Sequence, residues 1–180
     1  MADRTVIAVL ADCHIHPAAG IDWPAGALKA LAGVDRIITL GDMGEASGLA
    51  ALTAIAPVAG VLGEDDEPSE VIQTLTLTLE EGGLIIGCVF DPVIANLAES
   101  KAPFVPDADD AEAEEDLFDG PLDVLLCAST HRAEITDVAG RLTVDPGSLT
   151  LPEGKATGAK GTFARLIIED GAARAEIVEV

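Results

Sequence analysis

The sequence predicts a single α/β domain over residues 1–180, built around a buried parallel sheet. In the first half, short runs of β-branched residues alternate with stretches of helical length rich in alanine and leucine, which is the pattern of β-α units. A chain of 180 residues, 49% of them hydrophobic, can enclose one sizeable core, whereas two full domains would be tight. No internal repeat or low-complexity linker divides it.

The first half is predicted to form three strands joined by two helices. Pro24 lies where the first turn of the first helix is expected, and a glycine follows that helix. Ser47 is a candidate N-cap of the second helix. The segments are, in order, TVIAVLA, WPAGALKALAG, DRIITL, SGLAALTAIA and VAGVL.

The second half is predicted to begin with an antiparallel hairpin, because VIQTLTLTL alternates apolar and polar residues and GGLIIGCVF follows across an acidic turn. Residues 91–120 predict a short helix, a proline-containing loop and an acidic helix. DADDAEAEED lies between apolar segments, which favours a solvated helix face or a mobile loop over a disordered tail. A buried strand and a closing antiparallel meander follow, made of DVLLCA, RAEITDVAG, RLTVD, GTFARLIIED and ARAEIVEV.

The composition describes a strongly acidic protein. With 32 acidic and 10 basic residues the net charge is −22, and the chain has no tyrosine. Such a surface repels phosphate backbones and offers few aromatic rings for base stacking, so nucleic acid is not expected as a main partner. The charge favours solubility and suits adaptation to salt, but it indicates no particular function.

The three cysteines predict a reducing compartment. Cys13, Cys88 and Cys127 are widely spaced and form no C-x-x-C pair. Cys13 is expected to point into the packing, away from its two neighbours. The start of the chain lacks the pattern of a signal peptide, and no apolar run approaches the roughly 20 residues that cross a bilayer. We expect a soluble, cytoplasmic protein without a membrane partner.

Polar residues that could bind a metal follow four of the predicted strands. In open α/β sheets ligands bind beyond the carboxyl ends of the strands, so residues there can meet even when they are far apart in sequence. Two aspartates, two histidines and a further carboxylate suit a divalent ion of the manganese, iron or zinc kind, because such ions accept mixed nitrogen and oxygen ligands. The residues are Asp12 and His14, Asp42, Glu64 with Asp65 and Asp66, and His131.

Each of these residues also has an ordinary structural explanation. Asp12 and Asp42 could cap helices, the acidic turn at 64–67 could be a solvated loop, and His131 could bond to the backbone. His16 is expected to be exposed or to lie behind the ligands rather than among them. The metal interpretation depends on all four strand ends converging.

The order of the motifs resembles that of the calcineurin-like metallophosphoesterases, and most closely their compact bacterial and archaeal phosphodiesterase branch. The likeness spans nearly the whole chain. It is carried by five motifs in order: Asp12-x-His14, Gly41-Asp42, the glycine-led acidic turn at Gly63, STHRAE at 129–134 and DPGS at 145–148.

The resemblance implies a fold and a first metal site. The fold is an α/β sandwich of two sheets, flanked by helices, with a two-metal site at one edge. One metal would be held by Asp12, His14 and His131, and Asp42 would bridge to the second metal. All four residue types match the family pattern.

The second metal site departs from the family pattern. The resemblance implies an asparagine and two histidines there, and this sequence has Glu64, Cys88 and Ser129 instead. Glu64 could still bind a metal and Cys88 could do so as a thiolate, whereas Ser129 would be a poor ligand. For Cys88, a buried strand position is favoured over a role as a ligand. Two metals about 3.5 to 4 Å apart clamp a phosphate between them, so catalysis should suffer from the loss of one.

Two classes of function follow from the resemblance. The first is a metal-dependent phosphoesterase, foremost a phosphodiesterase, with a degenerate second metal site and low or altered activity. The alternative is a non-catalytic scaffold or protein-interaction module, as in a eukaryotic retromer subunit that resembles the same family. The residues favour the hydrolase slightly. They assign no catalytic residue beyond the ligands. A site rebuilt for another substrate or metal is a third interpretation.

The implied cofactor is one or two divalent ions. Manganese is the first choice, with zinc, iron, nickel and magnesium as alternatives. The implied partner of an active enzyme is a small phosphorylated substrate, and a homo-oligomer or a protein partner stays open.

Overall fold

The computed structural model describes residues 4–101, 103–106, 110–138 and 140–180. Within them the chain forms twelve strands, three α-helices and two 3-10 turns at Pro17–Ala19 and Lys155–Thr157. The helices are α1 (Ala27–Ala30), α2 (Ala46–Thr53) and α3 (Asp110–Phe118). The strands are β1 (Arg4–Leu10), β2 (Arg36–Thr39), β3 (Val58–Gly60), β4 (Thr76–Glu81), β5 (Leu84–Val89), β6 (Ala98–Lys101), β7 (Phe104–Pro106), β8 (Val124–Leu126), β9 (Ala133–Val138), β10 (Arg141–Pro146), β11 (Thr162–Glu169) and β12 (Ala172–Glu179).

Two mixed five-stranded sheets form the body of the molecule. The first has the strand order β12-β11-β1-β2-β3, with β1, β2 and β3 parallel and β11 and β12 antiparallel. The second has the order β4-β5-β8-β10-β9, with parallel strands in the centre and an antiparallel strand at each edge. Strands β6 and β7 form a separate small hairpin. The predicted two-sheet α/β sandwich is confirmed.

Successive side chains along each strand point to opposite faces of the sheet, and the buried ones form three hydrophobic clusters. Ile7 and Val9 of β1 face the second sheet, while Ala8 and Leu10 face α1 and α2 on the other side. Because both faces of β1 are buried, its sequence is continuously apolar, as is typical of a central parallel strand. The outer face of the second sheet packs against α3 through a third cluster that includes Phe118. None of the described helices is long and apolar enough to cross a membrane.

The closing meander predicted for the last four segments is wrong in one respect. The segments form two hairpins that lie in different sheets: β9 and β10 join the second sheet, and β11 and β12 join the first. Strand β11 pairs with β1 over the register Arg4↔Glu169 to Val9↔Ala164. Sequence alternation shows which residues share a face, but it does not show which partner strand a hairpin chooses.

The segment after β5 also differs from the prediction. The expected short helix is a hydrogen-bonded turn, and strand β6 follows it. The acidic helix is present as α3, and Glu114 on it is buried rather than solvated. Its carboxylate pairs with Arg141 of β10 and accepts a hydrogen bond from the Leu122 backbone N–H. Residues 107–109, the start of the predicted acidic stretch, lie outside the described residues.

Candidate metal centre

The turns after β1, β2 and β3 are joined to one another by hydrogen bonds. The Asp12 backbone N–H donates to the carbonyl of Gly41 at 3.0 Å, and that of His14 donates to the carbonyl of Asp42 at 2.9 Å. The Asp65 backbone N–H donates to Asp42 Oδ1 at 3.0 Å. These bonds hold the carboxyl ends of three parallel strands at one edge of the sandwich, where ligand sites form in α/β folds.

Backbone strain is concentrated at this edge. A positive φ is uncommon for a residue other than glycine, and such strain clusters at functional sites. Eight non-glycine residues of the described chain have positive φ, and five of them lie in the turns around this edge. They are Asp12 (φ 49°), His14 (42°), Asp42 (51°), Ser129 (73°) and His131 (58°).

Two glycines let the turns after β2 and β3 pack closely. A Cβ atom added to Gly63 would lie 2.2 Å from Asp42 Oδ1 and 2.3 Å from Asp42 N. Gly41 has φ 106°, and a Cβ there would lie 2.6 Å from the Cα of Gly63. These contacts are too short for any side chain, so the two glycines fix the position of the Asp42 carboxylate.

Asp12 is a buried carboxylate with one oxygen left without a hydrogen bond. Its Oδ2 accepts from the Ser129 backbone N–H at 3.2 Å, whereas Oδ1 has no hydrogen-bond partner among the described residues. Burial, and then the charge of Asp42, raise the pKa of Asp12 to about 7. A buried carboxylate oxygen without a donor is costly, and a cation would satisfy it.

Two histidine rings lie beside these carboxylates. His131 Nδ1 is 2.7 Å from the carbonyl oxygen of Leu151, which can only accept, so Nδ1 carries the proton. In the neutral ring Nε2 is then a lone pair, and it lies 3.6 Å from Asp12 Oδ1. His14 Nε2 lies 3.9 Å from Asp42 Oδ2, and the two rings stack with centroids 5.2 Å apart. A histidine whose Nδ1–H is held by a backbone carbonyl and whose Nε2 lone pair faces a carboxylate, as in His131, is the arrangement of an oriented metal ligand.

The ligand atoms form two overlapping groups. The candidate atoms of Asp12, His14 and His131 all lie within 4.8 Å of one another, and so do those of His14, Asp42 and Asp65. Burial raises the pKa of Asp42, against the opposing effect of the hydrogen bond from Asp65 N–H. Mixed imidazole and carboxylate donors suit a divalent transition metal. The residues present therefore fit a divalent ion.

The DPGS segment at 145–148 forms hydrogen bonds with the turns that carry Asp12 and His131. Ser148 Oγ donates to the Asp12 carbonyl at 2.6 Å. Asp145 accepts from Thr130 Oγ1 at 2.7 Å and from the Gly147 N–H at 2.8 Å. These contacts hold the turns that carry Asp12 and His131, which gives the motif a positioning role.

Glu64, Cys88, His16 and Cys13 lie outside the two groups of ligand atoms. Glu64 is exposed, and the neighbouring Asp65 is the residue of that turn that joins the ligand group. Cys88 is fully buried between the sheets, where burial raises the pKa of its thiol to about 12. His16 is exposed, 3.4 Å from Glu45, and Cys13 is buried in the packing, as expected.

Ser129 contacts Lys101 and Asp91, which were not among the predicted site residues. Lys101 Nζ donates to Asp91 Oδ2 at 2.5 Å and to Ser129 Oγ at 2.9 Å. Burial raises the pKa of Asp91, but the hydrogen bonds from Lys101 and from the Ile94 and Val93 N–H groups outweigh it and leave the pKa below its ordinary value. Asp91 follows β5, so its position at a strand end was the one available signal.

Solved structures with the same fold include both a metal complex and a predicted enzyme. Vps29 from Chaetomium thermophilum aligns with a TM-score of 0.70 and 23% identity, over 97% of each chain, and it has also been solved with a cyclic peptide. Vps29 from Entamoeba histolytica in complex with Zn²⁺ aligns with a TM-score of 0.66 and 21% identity, over 97% of this chain and 99% of that one. A predicted phosphoesterase from Streptococcus pneumoniae aligns with a TM-score of 0.63 and 17% identity, over 98% and 90%.

The family comparison covers most of the sequence. No curated protein matches the chain significantly. The model of the calcineurin-like phosphoesterase superfamily domain matches residues 6–171, a range that includes every residue of the candidate metal centre. The chain therefore belongs to the calcineurin-like phosphoesterase superfamily.

Proposed function

We propose that this protein is a metal-dependent phosphoesterase that hydrolyses phosphodiesters with one divalent ion, held by Asp12, His14, Asp42 and His131. The observation that carries the proposal is the Asp12 Oδ1 atom, which is buried, has no hydrogen-bond partner among the described residues and lies 3.6 Å from a histidine nitrogen. Manganese is the proposed ion, since its ligand preferences suit this mixed donor set. When bound, such an ion supplies Lewis acidity towards a phosphoryl oxygen and lowers the pKa of water.

The residues around the ion would fix its ligands and select the substrate by charge. Leu151 and Ser129 hold His131 and Asp12 in place through single hydrogen bonds. The exposed carboxylates of Glu64 and Asp65 add negative charge beside the site. Coulomb repulsion is weaker for the single charge of a phosphodiester than for the double charge of a monoester, so the site favours diesters.

An apolar groove next to the site gives room for an uncharged ester group. It has a volume of about 300 Å³ and runs from Glu64 and Asp91 along Leu75, Ile94 and Leu117. Leu75 is 70% exposed and Ile94 is 72% exposed. A phosphodiester carries a second organic group that a phosphomonoester lacks, and apolar contacts along this groove would favour it.

Turnover of bis(p-nitrophenyl) phosphate with Mn²⁺ tests the activity. We expect slow but measurable hydrolysis that Asp42→Asn abolishes, because the amide cannot supply the anionic ligand. Asp137→Asn is the matched control, since Asp137 is an exposed carboxylate on β9. Equal rates in the wild type and in Asp42→Asn would show that the hydrolysis does not come from this site.

Calorimetric titration with Mn²⁺ tests the metal itself. We expect binding that the double variant Asp12→Ala, His131→Ala removes, while His16→Ala keeps it because His16 lies outside the ligand group. Binding that is equal in the wild type and the double variant would refute the metal site.

A protein-binding role is the second candidate, and the exposed Leu75 and Ile94 favour it. Vps29, which has the same fold, has been solved with a bound cyclic peptide. A wild-type protein that binds Mn²⁺ at Asp12 and His131 yet turns over neither diester nor monoester would support this role over hydrolysis.

A further inference from the structure

The Lys101 ammonium group lies beside the candidate metal centre. Lys101 is the last residue of β6, and its side chain is 36% exposed. Its Nζ donates to Asp91 and to Ser129 Oγ, at 2.5 Å and 2.9 Å. An ammonium has three donors, so one N–H has no partner within the described part of the chain.

Ser129 links this lysine directly to the metal ligands. Its Oγ accepts from Lys101, and its backbone N–H donates to Asp12 Oδ2 at 3.2 Å. The charge of Lys101 also lies close enough to Asp12 to favour the ionised carboxylate. The lysine is therefore part of the same electrostatic site, one residue away from a proposed ligand.

Hydrogen bonds from two backbone N–H groups hold the Asp91 carboxylate, the partner of Lys101, in place. Asp91 Oδ1 accepts from the Val93 N–H at 2.9 Å and from the Ile94 N–H at 3.2 Å. Its Oδ2 faces Lys101, and the side chain is 9% exposed. The ammonium is thus anchored by a buried carboxylate that cannot turn away to another partner.

We propose that Lys101 takes the place of a second metal ion, so that the site binds a single divalent ion and uses the ammonium as a fixed cation for a phosphate oxygen. This inference rests on the proposed function. Ser129 lies where the family resemblance implies a histidine ligand of the second metal, and its Oγ instead accepts from Lys101, while Cys88 is buried between the sheets.

Charge explains why the lysine and a second ion exclude each other. A divalent cation close to Ser129 and Asp91 would meet the ammonium charge at short range and would have to break its two hydrogen bonds. A phosphate oxygen gains from the same charge, because ammonium groups form short, charge-assisted hydrogen bonds with phosphates. The remaining N–H of Lys101 is the donor for that bond.

Metal stoichiometry and phosphate binding test the inference without activity. We expect the wild type to take up one Mn²⁺ per chain at saturation and to give the six-line electron paramagnetic resonance spectrum of an isolated ion. In the Mn²⁺-loaded protein, Lys101→Met should weaken the binding of inorganic phosphate about tenfold or more, the loss expected for one charge-assisted hydrogen bond. Lys101→Arg should keep most of the affinity, since it keeps the charge.

Lys29→Met is the matched control. Lys29 is exposed on α1, and its replacement changes the net charge by the same amount as Lys101→Met. Two bound ions in the wild type, or an unchanged phosphate affinity in a folded Lys101→Met protein, would overturn this inference and leave the proposed function standing. Loss of phosphate affinity in Lys29→Met as large as in Lys101→Met would also overturn it, because the effect would then be one of net charge. Failure of the proposed function appears separately, as the absence of Mn²⁺ binding in every variant or of diester hydrolysis by the Mn²⁺-loaded wild type.

Discussion

Replacing Asp12 by asparagine should stabilise the metal-free protein while removing its response to metal. Burial and the neighbouring Asp42 raise the pKa of Asp12 from 3.8 to about 7. An asparagine is isosteric, does not ionise and keeps an oxygen for the Ser129 N–H, which now donates at 3.2 Å to Asp12 Oδ2. The variant therefore removes a buried charge and preserves the known hydrogen bond.

The size of the effect depends on pH in a defined direction. Because the pKa of Asp12 is higher in the folded state, the folded protein binds more protons than the unfolded chain between pH 3.8 and about 7. The contribution of Asp12 to the free energy of unfolding therefore falls as pH rises through this window, and the asparagine variant lacks this loss. With about 1.4 kcal/mol for each pH unit, the advantage of Asp12→Asn should grow by about 2–3 kcal/mol between about pH 5 and about pH 8.

Guanidinium unfolding measures the stability difference between the wild type and Asp12→Asn. It is carried out at about pH 5 and about pH 8, first with a chelator and then with Mn²⁺. With the chelator, Asp12→Asn should be the more stable protein at the higher pH. With Mn²⁺, the wild type should gain stability and the variant should not, because binding to the folded state alone is stabilising. Asp137→Asn should follow the wild type at both pH values, since Asp137 is exposed. A stability difference that is the same at both pH values would show that folding does not raise the pKa of Asp12.

Three further predictions concern Gly63, the Glu114–Arg141 ion pair and the net charge of the protein. Gly63→Ala should destabilise the fold by about 1–3 kcal/mol and weaken Mn²⁺ binding in calorimetry, because its Cβ would clash with Asp42; unchanged binding would contradict the role given to this glycine. Glu114→Ala should cost about 3–5 kcal/mol in guanidinium unfolding, since it leaves the Arg141 guanidinium buried without this carboxylate; a loss below about 1 kcal/mol would contradict the pairing. Potassium chloride should raise the melting temperature, because the net charge of −22 repels itself and salt screens it; a lower melting temperature in salt would argue against this.

The convergence of Asp12, His14, Asp42 and His131 was predictable because these residues follow strand ends. The apolar run before Asp12 and the one before Asp42 identify two parallel strands, and the carboxyl ends of parallel strands meet at one edge. His131 follows β8 and lies at the same edge of the sandwich. The local sequence pattern is therefore enough to predict the position of residues that directly follow a strand.

The placement of Cys88 was open to prediction from alternation. Ile86 and Cys88 are two positions apart on β5 and share the face that packs between the sheets, whereas Val89 faces the other way. A strand residue two positions from the buried Ile86 lies on the same face and belongs to the core. Motif order alone points to a ligand there, and the period of the strand points to packing.

Other features depend on contacts that no local pattern shows. Asp66 accepts from the N–H groups of Met43 and Gly63, each at 2.9 Å, and this turn places Asp65 rather than Glu64 next to the ligands. Lys101 reaches the site from a small hairpin where a helix and a loop were expected. Long-range partners of this kind are decided by tertiary packing, which overrides local preference.

The two halves of the site differ in how their negative charge is balanced, and this difference bears on function. Asp91 is neutralised by Lys101, so this half is satisfied by the chain itself. Asp12 has an oxygen without a hydrogen-bond partner in the described structure, and the pKa of Asp12 is raised by burial. A scaffold that did not use a metal would gain stability from a neutral residue at position 12, as the asparagine variant should show. A bound divalent cation would offset the cost of the ionised Asp12 carboxylate, and this holds whether or not a second ion binds near Ser129.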